Sequence, residues 1–332
     1  KSEIKIILKN LIRITNNTIK NYNDDYNFIN KLPQKQTLVN SSKIYEVDKI
    51  FWLLNDCKKY GTLPFAGLAR CAFVAIEFLN SLVRLKILTI DEKQKFLSSI
   101  KTVTGEIVED FSKLNKNSFL RKYGHLRPNT YDISVNNYKE GYNYYFNKKK
   151  KIKRKKFSKF YFSKKQKQQI IKLIKKNSIN LTYIEFINFL RSSIKFREES
   201  KFIFTKSIDL IFKNIKRLSK RIGVDYKDFS YVDINSIMDL YNNLDSSDLK
   251  DKFIKEIEIN KKVYDFNKNI KIPDVISETK DIFISYENDG SANFIGTKRI
   301  FGKNIFLKST KKQKLENKII CIENADPGYD YI

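Results

Sequence analysis

The sequence predicts a mainly α protein: a helical domain followed by an incomplete β/α domain. Three observations carry this. Apolar residues recur at three- and four-residue spacing through much of the chain before Pro273, the period of an amphipathic helix. Two Thr-x-x-Glu sequences, Thr89 to Glu92 and Thr182 to Glu185, open such stretches, where a hydroxyl and a carboxylate can satisfy each other's orphan backbone donors. After Pro273 the period drops to two in the short runs DIFISYE, ANFIG, RIFGKNIFL and KIICIE, which are β-branched or aromatic and separated by turn residues. The expected division is a helical domain over 1–275 and a second domain over 276–332.

Taken in order, the first clear helical pattern covers 46–115, through IFWLLNDC, FAGLARCAFVAIEFLNSLVRL and DEKQKFLSSIKTV. Gly61 and Pro64 are expected to punctuate the start of its second helix, whose small residues Ala66, Gly67, Ala69 and Ala72 would let another helix approach closely. A short helical turn at 117–123 runs into Gly124, a natural stop because glycine takes positive φ without a Cβ clash. Pro128 lacks an N–H and biases Arg127 away from helix, so 125–132 reads as a loop. The block KKKKIKRKK at 148–156 repels itself and is expected to be an exposed connector. A long helix over 182–221 ends at Gly223, and shorter helices follow at 233–243 and 247–263. The last run, KIICIEN at 318–324, reads as a strand buried on both faces that enters the turn Asp326-Pro327-Gly328.

The chain has 332 residues, 41% hydrophobic and 14% aromatic, enough to fill a core. A formal charge of +28 raises nucleic acid as a partner, because clustered cations release counterions from phosphates. Here the lysines accompany abundant Asn and Ile, the mark of a biased composition rather than of one basic face, so scattered lysines and no nucleic-acid partner are expected. Three cysteines without C-x-x-C spacing and a single histidine do not complete a usual zinc site. Reduced thiols and a cytoplasmic location are expected. The longest apolar stretches, such as CAFVAIEFL at 71–79, are short and close to charges, and no signal peptide opens the chain, so no membrane partner is expected. Beginning at Lys1 and stopping at DPGYDYI, the chain reads as part of a longer polypeptide.

No GxxxxGK(S/T), no GxGxxG after a strand, no HExxH and no GxSxG occurs, so no cofactor site is expected within the chain. Glu323, Asp326 and Asp330 lie close in sequence and could hold Mg²⁺ through oxygen ligands, with turn formation the expected role of Asp326. Two constellations remain. RKYGHLRPNTYDIS at 121–134 holds the only histidine, His125, with Arg121, Arg127, Tyr131 and Asp132. A guanidinium can bind a phosphoryl or carboxylate oxygen, a histidine can move a proton near neutral pH, and an aspartate can orient either. The plainer alternative is a ring that braces the Gly124 turn. FREESKFIFTK at 196–206 places Arg197 and Lys201 on one helix face with Glu198 nearby, either a surface salt-bridge face or an anion-binding wall. The candidate catalytic residues are therefore His125, Arg127 and Asp132, and the candidate substrate-binding residues Arg121, Tyr131, Arg197, Glu198 and Lys201.

YGTLPFAGLARCAFVAIEFLNSLV at 60–83, YGHLRPNTYDIS at 123–134, REESKFIFTK at 197–206 and KIICIENADPGYDYI at 318–332 together resemble segments of PEP-utilizing phosphotransferases. This is the family of phosphoenolpyruvate synthase, pyruvate phosphate dikinase and rifampin phosphotransferase. The resemblance implies that 1–275 is the family's helical middle region, on the acceptor side, and that 276–332 begins its mobile phosphohistidine domain, truncated before the histidine in a Gly-Gly-x-x-Ser-His type motif. ATP and Mg²⁺ would then belong to an ATP-grasp domain of the same polypeptide, and the phosphate acceptor would be a small molecule. His125 belongs by resemblance to a Gly-His loop near the acceptor site, and the chain alone would be inactive. Where relatives read RPGTYD this chain has Asn129, which still tolerates positive φ. Where relatives often read PNFIT it has Ala292 to Gly296, and the threonine is absent. The competing reading is a basic helical nucleic-acid-binding or scaffold protein without catalytic activity.

Overall fold

The computed structural model describes residues 2–146, 159–241, 248–270, 276–283, 300–307, 315 and 317–322. It is mainly helical, with one short parallel strand pair among the described residues. The basic block 148–156, ANFIG, the Asp326 turn and the carboxylates Glu323, Asp326 and Asp330 lie outside them. The chain divides into two compact units, one of Lys1–Tyr131 with Val135–Asn214 and one of Asp132–Ser134 with Ile215–Ala325.

The first unit opens with α1 (Ser2–Ile29) and α2 (Leu32–Ser41), to which the sequence patterns assigned no element. The Asn-rich face of α1 dilutes its periodicity, and much of its apolar face, including Ile4, Leu8 and Leu11, is exposed. α3 (Glu46–Asp56) and α4 (Leu63–Arg84) follow, joined by the wide π turn Cys57–Thr62. Gly61 and Pro64 thus do mark the start of α4, though by a widened turn rather than a break. The amide of Leu63 donates to the carbonyl of Lys58, five residues back, and the wider turn absorbs the proline, which has no N–H to give. By length and composition the resulting continuous run, Glu46–Arg84, could cross a membrane, with mean hydropathy 1.5 over its best window. Part of its apolar surface enters a core, through Leu68, Ala75 and Leu79, while Trp52, Leu63 and Phe73 are exposed. The close approach expected from its small residues is realised at Gly67, where a Cβ would lie 2.0 Å from Asp25 Oδ2 on α1.

α5 (Ile90–Ser98) is opened by the expected box: Glu92 N–H donates to Thr89 Oγ1 at 3.1 Å and Thr89 N–H to Glu92 Oε2 at 2.8 Å. α6 (Val103–Lys113), α7 (Lys116–Tyr123) and the single turn α8 (Tyr142–Tyr145) build an aromatic cluster of Phe119, Tyr123, Tyr138 and Tyr145. α9 (Lys164–Lys176) is capped by a reciprocal pair, Ser163 and Gln166. α10 (Tyr183–Ile222) carries the Thr182 and Glu185 box at its start and Gly223, at φ +79, at its end. Phe96, Leu79, Ile170, Phe189 and Leu190 fill the core formed by α1, α4, α5, α9 and α10. Each such side chain contributes about 1.5–3 kcal/mol by leaving water.

In the second unit, α11 (Ile234–Asp239) and α12 (Leu249–Asn267) bury Ile237, Phe253 and Ile257, with Phe229 against Phe253 at 5.3 Å. β1 (Lys303–Phe306) pairs in parallel with β2 (Lys318–Cys321), Ile305 opposite Ile320. The β2 strand is half-buried rather than covered on both faces: Ile319 remains 38% exposed. Of DIFISYE, the described residues Asp281–Phe283 do not form a strand, since Thr279–Ile282 is a 3-10 turn. Asp281 Oδ2 accepts the amides of Ser277 and Glu278 at 2.8 and 2.9 Å, and this local cap outcompetes extended backbone.

Candidate functional site

The two sequence constellations meet in the first unit, where the segment after α7 lies against the middle of α10. α7 ends at Gly124, but not in the left-handed way expected, because its φ is −62°. What excludes a side chain there is space: a Cβ would sit 2.3 Å from the Leu120 carbonyl oxygen. The left-handed residue is Asn129, at φ +53°, as its chemistry allows. The loop then closes on itself. Tyr138 N–H donates to Leu126 O at 2.7 Å, and Lys139 N–H to Gly124 O at 3.1 Å. Asn137 and Glu140 brace the return, since Asn137 Oδ1 accepts the Glu140 amide at 2.8 Å.

Asp209 of α10, which the sequence patterns did not single out, is the centre of this arrangement. Its Oδ1 accepts from Arg127 Nη2 at 2.6 Å and from Asn137 Nδ2 at 2.7 Å, and its Oδ2 accepts from Lys213 Nζ at 2.6 Å. Arg127 also donates to Val135 O at 3.1 Å and stacks on Phe212, its guanidinium carbon 4.9 Å from the ring centre. Arg127 and Asp209 side chains are each 2% exposed. Burial alone would raise the Asp209 carboxyl, but Lys213, Asn137 and Arg127 outweigh it and hold it below the usual range. A buried charge survives because it is paired and fully hydrogen-bonded. Arg127 is thus the anchor of the loop.

His125 is half-buried beside this cluster. Its ring lies edge-on to Phe202 with centroids 4.7 Å apart, and Nε2 is 3.2 Å from the Phe202 carbonyl oxygen. A carbonyl only accepts, so Nε2 carries the proton and Nδ1 the lone pair. Burial, against the opposing pull of Asp209, lowers the His125 pKa to about 4, so the ring is neutral at pH 7. On the neighbouring face of α10, Glu198, Lys201, Phe202 and Thr205 join Leu126, Thr130, Val103 and Thr104 around a cavity of about 10 Å³, space for roughly one water.

The other candidate residues are placed differently. Arg121 is exposed on α7 and Tyr131 is 65% exposed. Asp132 holds its own turn, with Oδ1 accepting from the Ser134 amide at 2.8 Å and its hydroxyl at 2.6 Å. Arg197 is ion-paired with Glu198 beside it. So the structure sets His125 against Phe202, places Glu198 and Lys201 with Phe202 at the small cavity, leaves Arg121 and Tyr131 exposed, and gives Arg127 a structural partner. Asp209 escaped sequence reasoning because its guanidinium partner stands 82 positions away; the only local signal was a lone aspartate in the apolar run SIDLIF. Among the described residues no group of three His, Cys, Asp or Glu side chains is placed to hold a metal ion. No family model, no curated protein and no solved structure matches the chain.

Proposed function

We propose that this chain is the acceptor-side helical region of a cytoplasmic phosphotransferase of the PEP-utilizing kind, with the beginning of a phosphohistidine domain after residue 275. One observation carries the reading: two segments of the resemblance meet the third within one turn of α10. Gly61, from the first, lies where a Cβ would be 3.0 Å from Phe204 Cβ; His125, from the second, contacts Phe202; and both contacted residues belong to the third, REESKFIFTK. Gly61 and His125, far from α10 in the sequence, with His125 77 positions before Phe202, thereby belong to one local structure with it.

ATP with Mg²⁺ would supply the phosphoryl group, in an ATP-grasp domain of the same polypeptide. The described residues offer no cluster of carboxylates fit for that metal. What this chain's residues do is position and neutralise. The Arg127–Asp209 pair fixes the loop, and His125, its Nε2–H anchored on the Phe202 carbonyl, presents Nδ1 as a proton acceptor for the hydroxyl of a small acceptor. Lys201 supplies positive charge beside the cavity, the kind of fixed electrostatic support that phosphoryl transfer relies on.

The test uses the full-length polypeptide. His125→Ala should leave ATP-dependent phosphorylation of the mobile histidine intact, measured by phosphoprotein mass spectrometry, and slow phosphate transfer to the acceptor by about 10²-fold, the usual contribution of a positioned proton acceptor. Equal loss of both steps overturns the assignment, as does a coding sequence with no ATP-grasp region upstream and no Gly-Gly-x-x-Ser-His downstream.

A further inference from the structure

We propose that Lys206 and Lys213, on the face of α10 that meets His125, form a subsite for a small oxyanion, the phosphoryl or carboxylate end of the acceptor. This deepens the preceding reading by naming the ligand class, and rests on it only for the purpose of the site.

The argument starts from spacing. Phe202, Lys206, Asp209 and Lys213 stand at successive four-, three- and four-residue steps, which places them on one face of the helix. Phe202 carries the His125 contact and Asp209 carries the buried cluster, so the two lysines border the same patch. The charges there do not cancel: Arg127, Lys206 and Lys213 stand against the carboxylates of Asp209 and of Glu140, which accepts the Asn137 amide at 3.3 Å. The Asp209 carboxylate already accepts three donors. Lys206 is exposed and has no carboxylate partner among the described residues. Lys213 gives one hydrogen bond to Asp209 with 37% of its side chain in solvent, and an ammonium has two more protons to donate.

The His125 ring, held on Phe202 of the same face, is suited to the same ligand. Both lysines oppose its protonation, in addition to burial, which keeps His125 neutral and its Nδ1 lone pair free of a proton. A protonated oxygen of a phosphate can donate to that nitrogen while its other oxygens face the lysines. An anion held there reverses the lysines' effect, so occupancy should raise the His125 pKa.

His125 is the only histidine in the chain, so its ring signal in NMR spectra of histidine-labelled protein is unambiguous. Inorganic phosphate is the probe, titrated at constant ionic strength into the 332-residue chain. The expected result is a saturable shift of the His125 signal and a rise of its pKa. Lys206→Gln should weaken phosphate binding about tenfold, the loss of one charge-assisted hydrogen bond, while Lys172→Gln, an exposed change on α9, leaves it unchanged. Lys206→Arg should retain most of the affinity. A non-saturable response, or equal binding by the Lys206→Gln and unaltered proteins with unchanged thermal melts, overturns the proposal. Since phosphate binding is read without any transfer reaction, this failure is separable from failure of the phosphotransfer reading.

Discussion

At the scale of single residues, the loop after α7 depends on one carboxylate. Asp209 neutralises Arg127 in a place that water does not reach, so removing the carboxylate leaves a buried guanidinium without a counterion. Asp209→Ala is therefore expected to destabilise the first unit by about 3–5 kcal/mol, measured by urea unfolding at pH 7; a loss below about 1 kcal/mol would show that Arg127 finds water or another partner. The loop's backbone was readable in the sequence. Pro128 and Asn129 announced a turn with one left-handed residue, and φ +53° at Asn129 agrees. Arg127 was not readable as an anchor, because nothing near it in the sequence shows that its partner lies on a distant helix. Gly124 was given the wrong reason: crowding by the Leu120 carbonyl, a contact in three dimensions, demands the glycine there.

At the scale of elements, capping chemistry was the most legible signal, since Thr89 with Glu92 and Thr182 with Glu185 form both bonds of each box. The π turn was not legible, as Gly61 and Pro64 spell a break to any local rule and only the packing of Cys57 and Gly61 against α10 keeps the backbone helical. α10 has its own pattern: Ser193, Ser200, Ser207 and Asn214 recur every seven residues and are each 0–2% exposed. Small polar residues at that spacing let neighbouring elements come close along one seam. Gln36 Nε2 donates to Ser207 Oγ at 2.9 Å, but the Ser193 and Ser200 hydroxyl oxygens have no hydrogen-bond partner among the described residues. Removing an unsatisfied buried hydroxyl relieves a desolvation cost. Ser200→Ala should leave the melting temperature unchanged or raise it by a few degrees, in calorimetry, whereas Ser200→Val should lower it through overpacking.

At the scale of the whole molecule, the formal charge is +28, and among the described residues lysines stand on many separate helices. Lysines lie on α1, α9, α10 and α12, several of them spent locally, as in Lys122 with Glu106 and Asp110 or Lys261 with Asp228. The chain should accordingly bind a single-stranded RNA only weakly at physiological salt, in the range of about 10⁻⁴–10⁻⁶ M that non-specific charge contact gives. Fluorescence anisotropy checks this, and nanomolar affinity with a steep salt dependence would favour the nucleic-acid reading instead. The mainly α class was legible from apolar period alone. The β/α character of the C-terminal stretch is represented among the described residues by one strand pair, because pairing there joins runs whose local pattern says nothing of their partners.

The middle of α10 has one more property. The carbonyls of Phe202, Ile203 and Phe204 each receive a side chain from a different part of the chain: His125 at 3.2 Å, Gln36 at 2.9 Å and the Cys57 thiol at 4.0 Å. Successive carbonyls on a helix point about 100° apart, so the helix is held from three directions within one turn. Fraying of this turn must release contacts from three separate stretches at once. Its opening is therefore coupled to that of the surrounding unit, and residues 202–204 belong to the last backbone to exchange with solvent rather than to the parts that fluctuate on their own.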